Sequence, residues 1–209
     1  MKKERFLSAL SLTLLLTSLS AVAEVQRAAD PMAEVAAVGW IRPDANGNLQ
    51  PDALLSRAEL AGILVRAFRL DQRQSTLTTV PQFQDVPASY PAYADIQTVV
   101  RTGIMEGYRG GLFFPEQRIT RAEAFSIIAQ AYGVFQFPEE TINQILSVYP
   151  DAAKIPTWAR RSMATALHEG LVNLDADRTI NPLAPMTRAD VAASLAIYLR
   201  RQNASTDLP

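Results

Sequence analysis

Apolar side chains recur along this chain in a helical rhythm. Leu60, Ile63, Leu64, Ala67 and Phe68 stand at i, i+3, i+4, i+7 and i+8, which is one face of an α-helix. The stripe returns as Ala124, Ile127, Ile128, Ala131 and Tyr132, and more loosely as Val191, Leu195, Tyr198 and Leu199, where Ser194 interrupts it. Upstream of each lies a shorter apolar set: Met32, Val35 and Ala36; Ile96, Val99 and Val100; Met163, Ala166 and Leu167. Gly39, Gly103 and Gly170 follow these three residues later, where a left-handed residue past a helix end is expected. Every periodic segment follows the 3.6-residue period, and the β-favouring stretches are short. The pattern predicts an all-α fold with no sheet.

The paired stripes are copies of one unit. Ser56-Arg57-Ala58-Glu59, Thr120-Arg121-Ala122-Glu123 and Thr187-Arg188-Ala189-Asp190 place their arginines 64 and 67 positions apart, and Pro51, Pro115 and Pro182 fall at the same spacings. Each unit therefore reads as a helix, a loop and a second helix, with loops marked by Asn46-Gly47-Asn48, Gly110-Gly111 and Asp175-Ala176-Asp177. A hairpin of this size cannot cover its own apolar face, so the three units should pack around a shared core as a pseudo-threefold bundle. The expected boundaries are 24–70, 83–133 and 149–201. The first unit is shortened, its opening helix starting at Asp30-Pro31 and lasting barely two turns. Pro138-Glu139-Glu140 should open an extra short helix between the second and third units, and the polar tail 202–209 should be disordered.

Ser or Thr followed three residues later by an acid is a capping box, in which hydroxyl and carboxylate each satisfy a free N–H of the first helical turn. The arginine between them is not explained by capping. A cation there faces the positive end of the helix dipole, at a cost of up to about 1 kcal/mol. Its presence in all three units calls for something negative. Free N–H groups with a guanidinium would suit an anionic ligand, or each arginine pairs with a carboxylate of the adjoining unit. Asp85 and Asp151 precede turns, where Asx-type hydrogen bonds and ligand contact are both open. Trp40 and Trp158 are either sugar-stacking platforms or core aromatics, and Trp40 follows a helix-ending glycine where an apolar anchor belongs.

Composition narrows the function. Met1, Lys2, Lys3, Glu4 and Arg5 precede an apolar run from Phe6 to Leu19, and Ala21-Val22-Ala23 completes a secretory signal peptide with cleavage before Glu24. Cleavage takes the formal charge from −1 to −3, against nucleic acid as a partner. The mature chain has no apolar run long enough to span a membrane. There is no cysteine, and His168 is the single histidine; it reads as a helix-surface residue, and neither a metal nor a cofactor is expected. No nucleophile with its base, serine elbow or phosphate loop stands outside the repeats, so the chain reads as non-catalytic.

Phe83-Gln84-Asp85-Val86-Pro87, Ala92-Tyr93, Gly103-Ile104, Gly107-Tyr108, Gly110-Gly111, Phe114-Pro115 and Ile119 to Glu123 together resemble an S-layer homology repeat. The third unit is similar in Tyr149-Pro150-Asp151, Trp158-Ala159, Gly170-Leu171, Pro182 and the arginine motif, and the first keeps the part from Gly39-Trp40 to Glu59. The resemblance implies a threefold helical bundle whose inter-repeat grooves grip an acidic, often pyruvylated, polysaccharide attached to peptidoglycan, in the periplasm or cell wall. It implies ligand contacts at Arg57, Arg121, Arg188, Asp85, Asp151 and Trp158, with Gly110 and Gly111 letting backbone approach the ligand. Pro91 stands where the second repeat should have tryptophan, and Asp177-Arg178 where the third should have loop glycines, so the second repeat is the fullest and Arg121 is the arginine expected to matter most. The alternative is a periplasmic helical adaptor whose grooves take a protein partner.

Overall fold

A computed structural model describes residues 30–206; the expected signal peptide and the end of the tail lie outside the described residues. The described residues form seven α-helices: α1 (Pro31–Ala37), α2 (Arg57–Phe68), α3 (Tyr93–Arg101), α4 (Arg121–Tyr132), α5 (Glu139–Ser147), α6 (Arg160–His168) and α7 (Arg188–Thr206). No strand is present among the described residues, and the fold is all-α. α1 and α2, α3 and α4, and α6 and α7 fall where the three helix–loop–helix units were expected, with the helices of each unit packing chiefly on other units, and α5 lies in the linker. α7 runs on to Thr206, so residues 202–206 are helical where composition alone assigns a disordered tail.

The units close into a ring. The first helix of each unit packs on the second helix of the unit before it: α3 on α2, α6 on α4, and α1 on α7. At the centre, three backbone hydrogen bonds run head to tail, from Leu55 N–H to Met186 C=O (2.9 Å), from Met186 N–H to Ile119 C=O (2.9 Å) and from Ile119 N–H to Leu55 C=O (3.2 Å). These residues precede the three capping motifs at matching positions, so the bonds are the signature of a pseudo-threefold axis. The opposite ends of the second helices also meet: the Tyr198 ring stacks on Phe68 at 4.5 Å and lies edge-on to Tyr132 at 6.0 Å. One continuous core includes Leu60, Ile63, Leu64, Ile96, Phe113, Phe125, Ile128 and Leu195. Ser194, the break in the third stripe, is fully buried and donates its hydroxyl to Leu171 C=O, so the core accepts it with its hydrogen bond made.

Capping differs among the units. Thr120 with Glu123 makes the reciprocal box, and Thr187 with Asp190 makes it equally, through Thr187 N–H to Asp190 Oδ2 (2.9 Å) and Asp190 N–H to Thr187 Oγ1 (3.2 Å). Ser56 Oγ accepts from Glu59 N–H, while the Glu59 carboxylate turns away to Arg188.

Candidate functional site

The first-turn N–H groups are not open to an anion. Arg57 and Ala58 donate to Gln117 and Pro115 C=O, Arg121 and Ala122 to Ala184 and Pro182 C=O, and Arg188 and Ala189 to Ala53 and Pro51 C=O. Each helix start is thus plugged by the loop of the next unit, and the recurring proline supplies one of the plugging carbonyls.

The motif arginines follow the same ring. The Nε of Arg57, Arg121 and Arg188 donates to Phe113, Ile180 and Leu49 C=O at 2.9, 2.8 and 2.8 Å. Nη2 donates to Glu106, Asn173 and Arg42 C=O at 2.7, 2.5 and 2.7 Å. Bending away onto these carbonyls takes the cation off the helix dipole and ties each unit to the next.

Only the last donor, Nη1, differs. Arg121 Nη1 meets Asp190 Oδ1 at 2.6 Å, and Arg188 Nη1 meets Glu59. Glu123 is the matching acid for Arg57, but its Oε2 takes Thr120 N–H and Oγ1 at 2.8 and 2.9 Å. Among the described residues no carboxylate pairs with Arg57, and its Nη1 has no hydrogen-bond acceptor. Arg57 is only 7% exposed, and its guanidinium lies 4.8 Å from the Tyr108 ring and 4.6 Å from the Phe113 ring. Burial lowers its pKa, while Tyr108, Glu123 and Asp85 counter that loss. Burial also works against the Asp190 carboxylate, but hydrogen bonds from Asn173 and Thr187 and the charge of Arg121 hold its pKa below the ordinary value.

The loop over Arg57 carries Gly110 and Gly111, both exposed with positive φ, and open space surrounds Gly110 where a Cβ would stand. In the third unit Arg178 occupies the place of Gly111 and takes the same left-handed turn at φ +64°, so the loop geometry survives the lost glycine. Asp85 and Asp151 face inward on these loops: Asp85 accepts from Phe113 and Phe114 N–H, and Asp151 from Ile180 and Asn181 N–H.

Trp158 stands apart from the arginines and is 62% exposed. It sits in the one-turn 3-10 helix Thr157–Ala159 at the start of α6, beside a groove of about 640 Å³ whose walls include Gln130, Gln136, Glu139, Arg160 and Arg161. α5 forms one wall, and Arg160 Nη2 reaches Asn143 Oδ1 on it at 2.6 Å. Trp40, by contrast, is buried against Tyr198. Sequence reasoning did not single out the groove-lining Gln130, Gln136, Arg160 and Arg161, because they lie outside the repeated strings; α5 was the signal that a wall stood there.

Parts of the chain are similar to known proteins. The chain is 33% identical over 157 residues, 74% of its length, to a surface-layer 125 kDa protein of Lysinibacillus sphaericus. It is 30% identical over 145 residues to an amylopullulanase of Thermoanaerobacterium thermosulfurigenes and 27% identical over 158 residues to a cellulosome-anchoring protein of Acetivibrio thermocellus. These matches span 12%, 7% and 34% of the three relatives respectively. The model of the S-layer homology domain family matches two segments of the chain, residues 82–125 and 148–192.

Proposed function

We propose that this chain is an exported, non-catalytic envelope module that binds a peptidoglycan-linked acidic polysaccharide through the seams between its three units, the first of them a truncated S-layer homology repeat. The observation that carries the reading is the exposed Trp158 indole beside a groove rich in amide and guanidinium groups. An aromatic face with hydrogen-bonding groups around it suits a sugar ring, whose C–H face packs on the indole while its hydroxyls find partners. The charge preference comes from Arg57, where a sheltered guanidinium keeps a donor without a carboxylate. Arg121 and Arg188 already hold an acid of the next unit, and serve the site by keeping the ring closed. Gly110 and Gly111 leave the loop over Arg57 open to a ligand. Surface-layer and cellulosome-anchoring relatives fit an anchoring role, and an amylopullulanase among the relatives fits a binding segment joined to a separate catalytic one.

The test is co-sedimentation of the mature protein with purified wall sacculi. Trp158→Ala should weaken retention at least about tenfold, or ~1.4 kcal/mol, with an unchanged melting temperature. Retention equal to that of the unaltered protein would remove the Trp158 groove from the site.

A further inference from the structure

Two aspartates named above as ligand groups have a different use in the geometry. Asp85 Oδ1 accepts from Phe113 N–H at 2.9 Å, and Oδ2 accepts from Phe114 N–H at 2.7 Å. Asp151 repeats the pattern with Ile180 N–H at 2.9 Å and Asn181 N–H at 2.8 Å, and is only 6% exposed. In both units the second of these residues is left-handed, Phe114 at φ +56° and Asn181 at φ +52°, and each is followed by the recurring proline. Such a backbone costs of order 1–3 kcal/mol for a side chain other than glycine, and most for a bulky one. The first residue of each pair supplies the carbonyl that receives the preceding unit's arginine: Phe113 for Arg57, Ile180 for Arg121. The first unit keeps the turn, with Gln50 at φ +49°, and there the Gln50 side chain donates to Asp44, which also receives Asn46 and Asn48 N–H.

We infer that Asp85 is a positioning residue for the Arg57 site and not a ligand contact. Its carboxylate pins a strained turn, and the turn aims the Phe113 carbonyl and ring at Arg57, leaving Nη1 as the donor that faces a ligand. Asp151 does the same for Arg121, whose Nη1 is already taken by Asp190. This assignment rests on the proposed binding function only for where Nη1 points; the pinning of the turn stands independently of it.

The experiment is a double-mutant cycle read two ways. Asp85→Ala should lower the melting temperature by about 4 °C or more. In a Phe114→Gly background, where there is no steric cost to release when the carboxylate is lost, the same change should lower it by more; equal losses would mean that the turn holds without Asp85, and the effect of Phe114→Gly itself cancels in the comparison. In sacculus binding, Asp85→Ala should weaken retention about as much as Arg57→Ala, and the double variant should be within about twofold of Arg57→Ala alone. If Asp85→Ala does not fold, Asp85→Asn in both backgrounds gives the same comparison, because one acceptor oxygen remains. An Asp85→Ala protein that melts normally, with a binding loss that adds to that of Arg57→Ala, would make Asp85 a direct ligand contact. Should the unaltered protein fail to bind sacculi, the binding proposal falls while the melting comparison still decides whether Asp85 pins the turn.

Discussion

At the scale of single residues, the three motif acids divide capping and pairing differently. Asp190 caps α7 through Oδ2 and pairs with Arg121 through Oδ1. Glu59 gives its carboxylate to Arg188, and Glu123 keeps its own for the cap. Four-residue strings that look alike in sequence therefore do three different things, and only side-chain placement separates them. Asp190 also carries a pH signature. Its folded pKa is depressed, so its contribution is fully present above the unfolded value of about 3.9 and is lost as pH falls through the folded one. Asp190→Asn should cost roughly 3 kcal/mol at pH 7, where it leaves Arg121 buried without its partner. The deficit should shrink as pH drops below about 4, and urea unfolding at pH 7 and pH 3 measures both. An equal deficit at the two values would mean that the charge of Asp190 is not what stabilises the seam.

At the scale of elements, the units were legible because the same apolar offsets recur three times, and because Pro138-Glu139-Glu140 opens α5 where the linker was expected to hold a helix. The loops were not legible in the same way. Besides the left-handed Gly47, Gly110, Gly111 and Arg178, each loop has a left-handed residue just before its proline, Gln50, Phe114 or Asn181, none of them glycine, and in the second and third units its N–H is held by a carboxylate about 29 residues upstream. Local propensity carries no trace of that. The caps offer a graded test. Thr120→Ala removes half of a reciprocal box and should cost about 1 kcal/mol. Ser56→Ala should cost less, since Glu59 does not return the bond at that helix. Thermal melts of the two variants compare them, and a Ser56→Ala loss larger than that of Thr120→Ala would contradict the observed division of labour.

At the scale of the whole molecule, closure of the ring is what the repeats achieve together. The first unit supplies Leu55 to the axis, Leu49 and Arg42 carbonyls to Arg188, and α1 to α7. A fragment of residues 83–201 should therefore lose cooperative melting, because α7 and the axis each lose a partner; a sharp transition in calorimetry would show that the first unit is dispensable for folding. The threefold plan was readable from the 64- and 67-residue spacings. Its asymmetry was not, since the fullest repeat pointed to Arg121, whereas the unpaired donor belongs to Arg57. The most direct test of the account is retention of the mature protein on wall sacculi before and after acid removal of the attached polysaccharide, with Arg57→Ala and Arg121→Ala alongside. Acid treatment should abolish retention, and Arg57→Ala should weaken it by about 1.5 to 3 kcal/mol, the range for a hydrogen bond to a charged group, with Arg121→Ala chiefly lowering the melting temperature. Undiminished retention on acid-stripped sacculi, or on native sacculi by a folded Arg57→Ala protein, would contradict it.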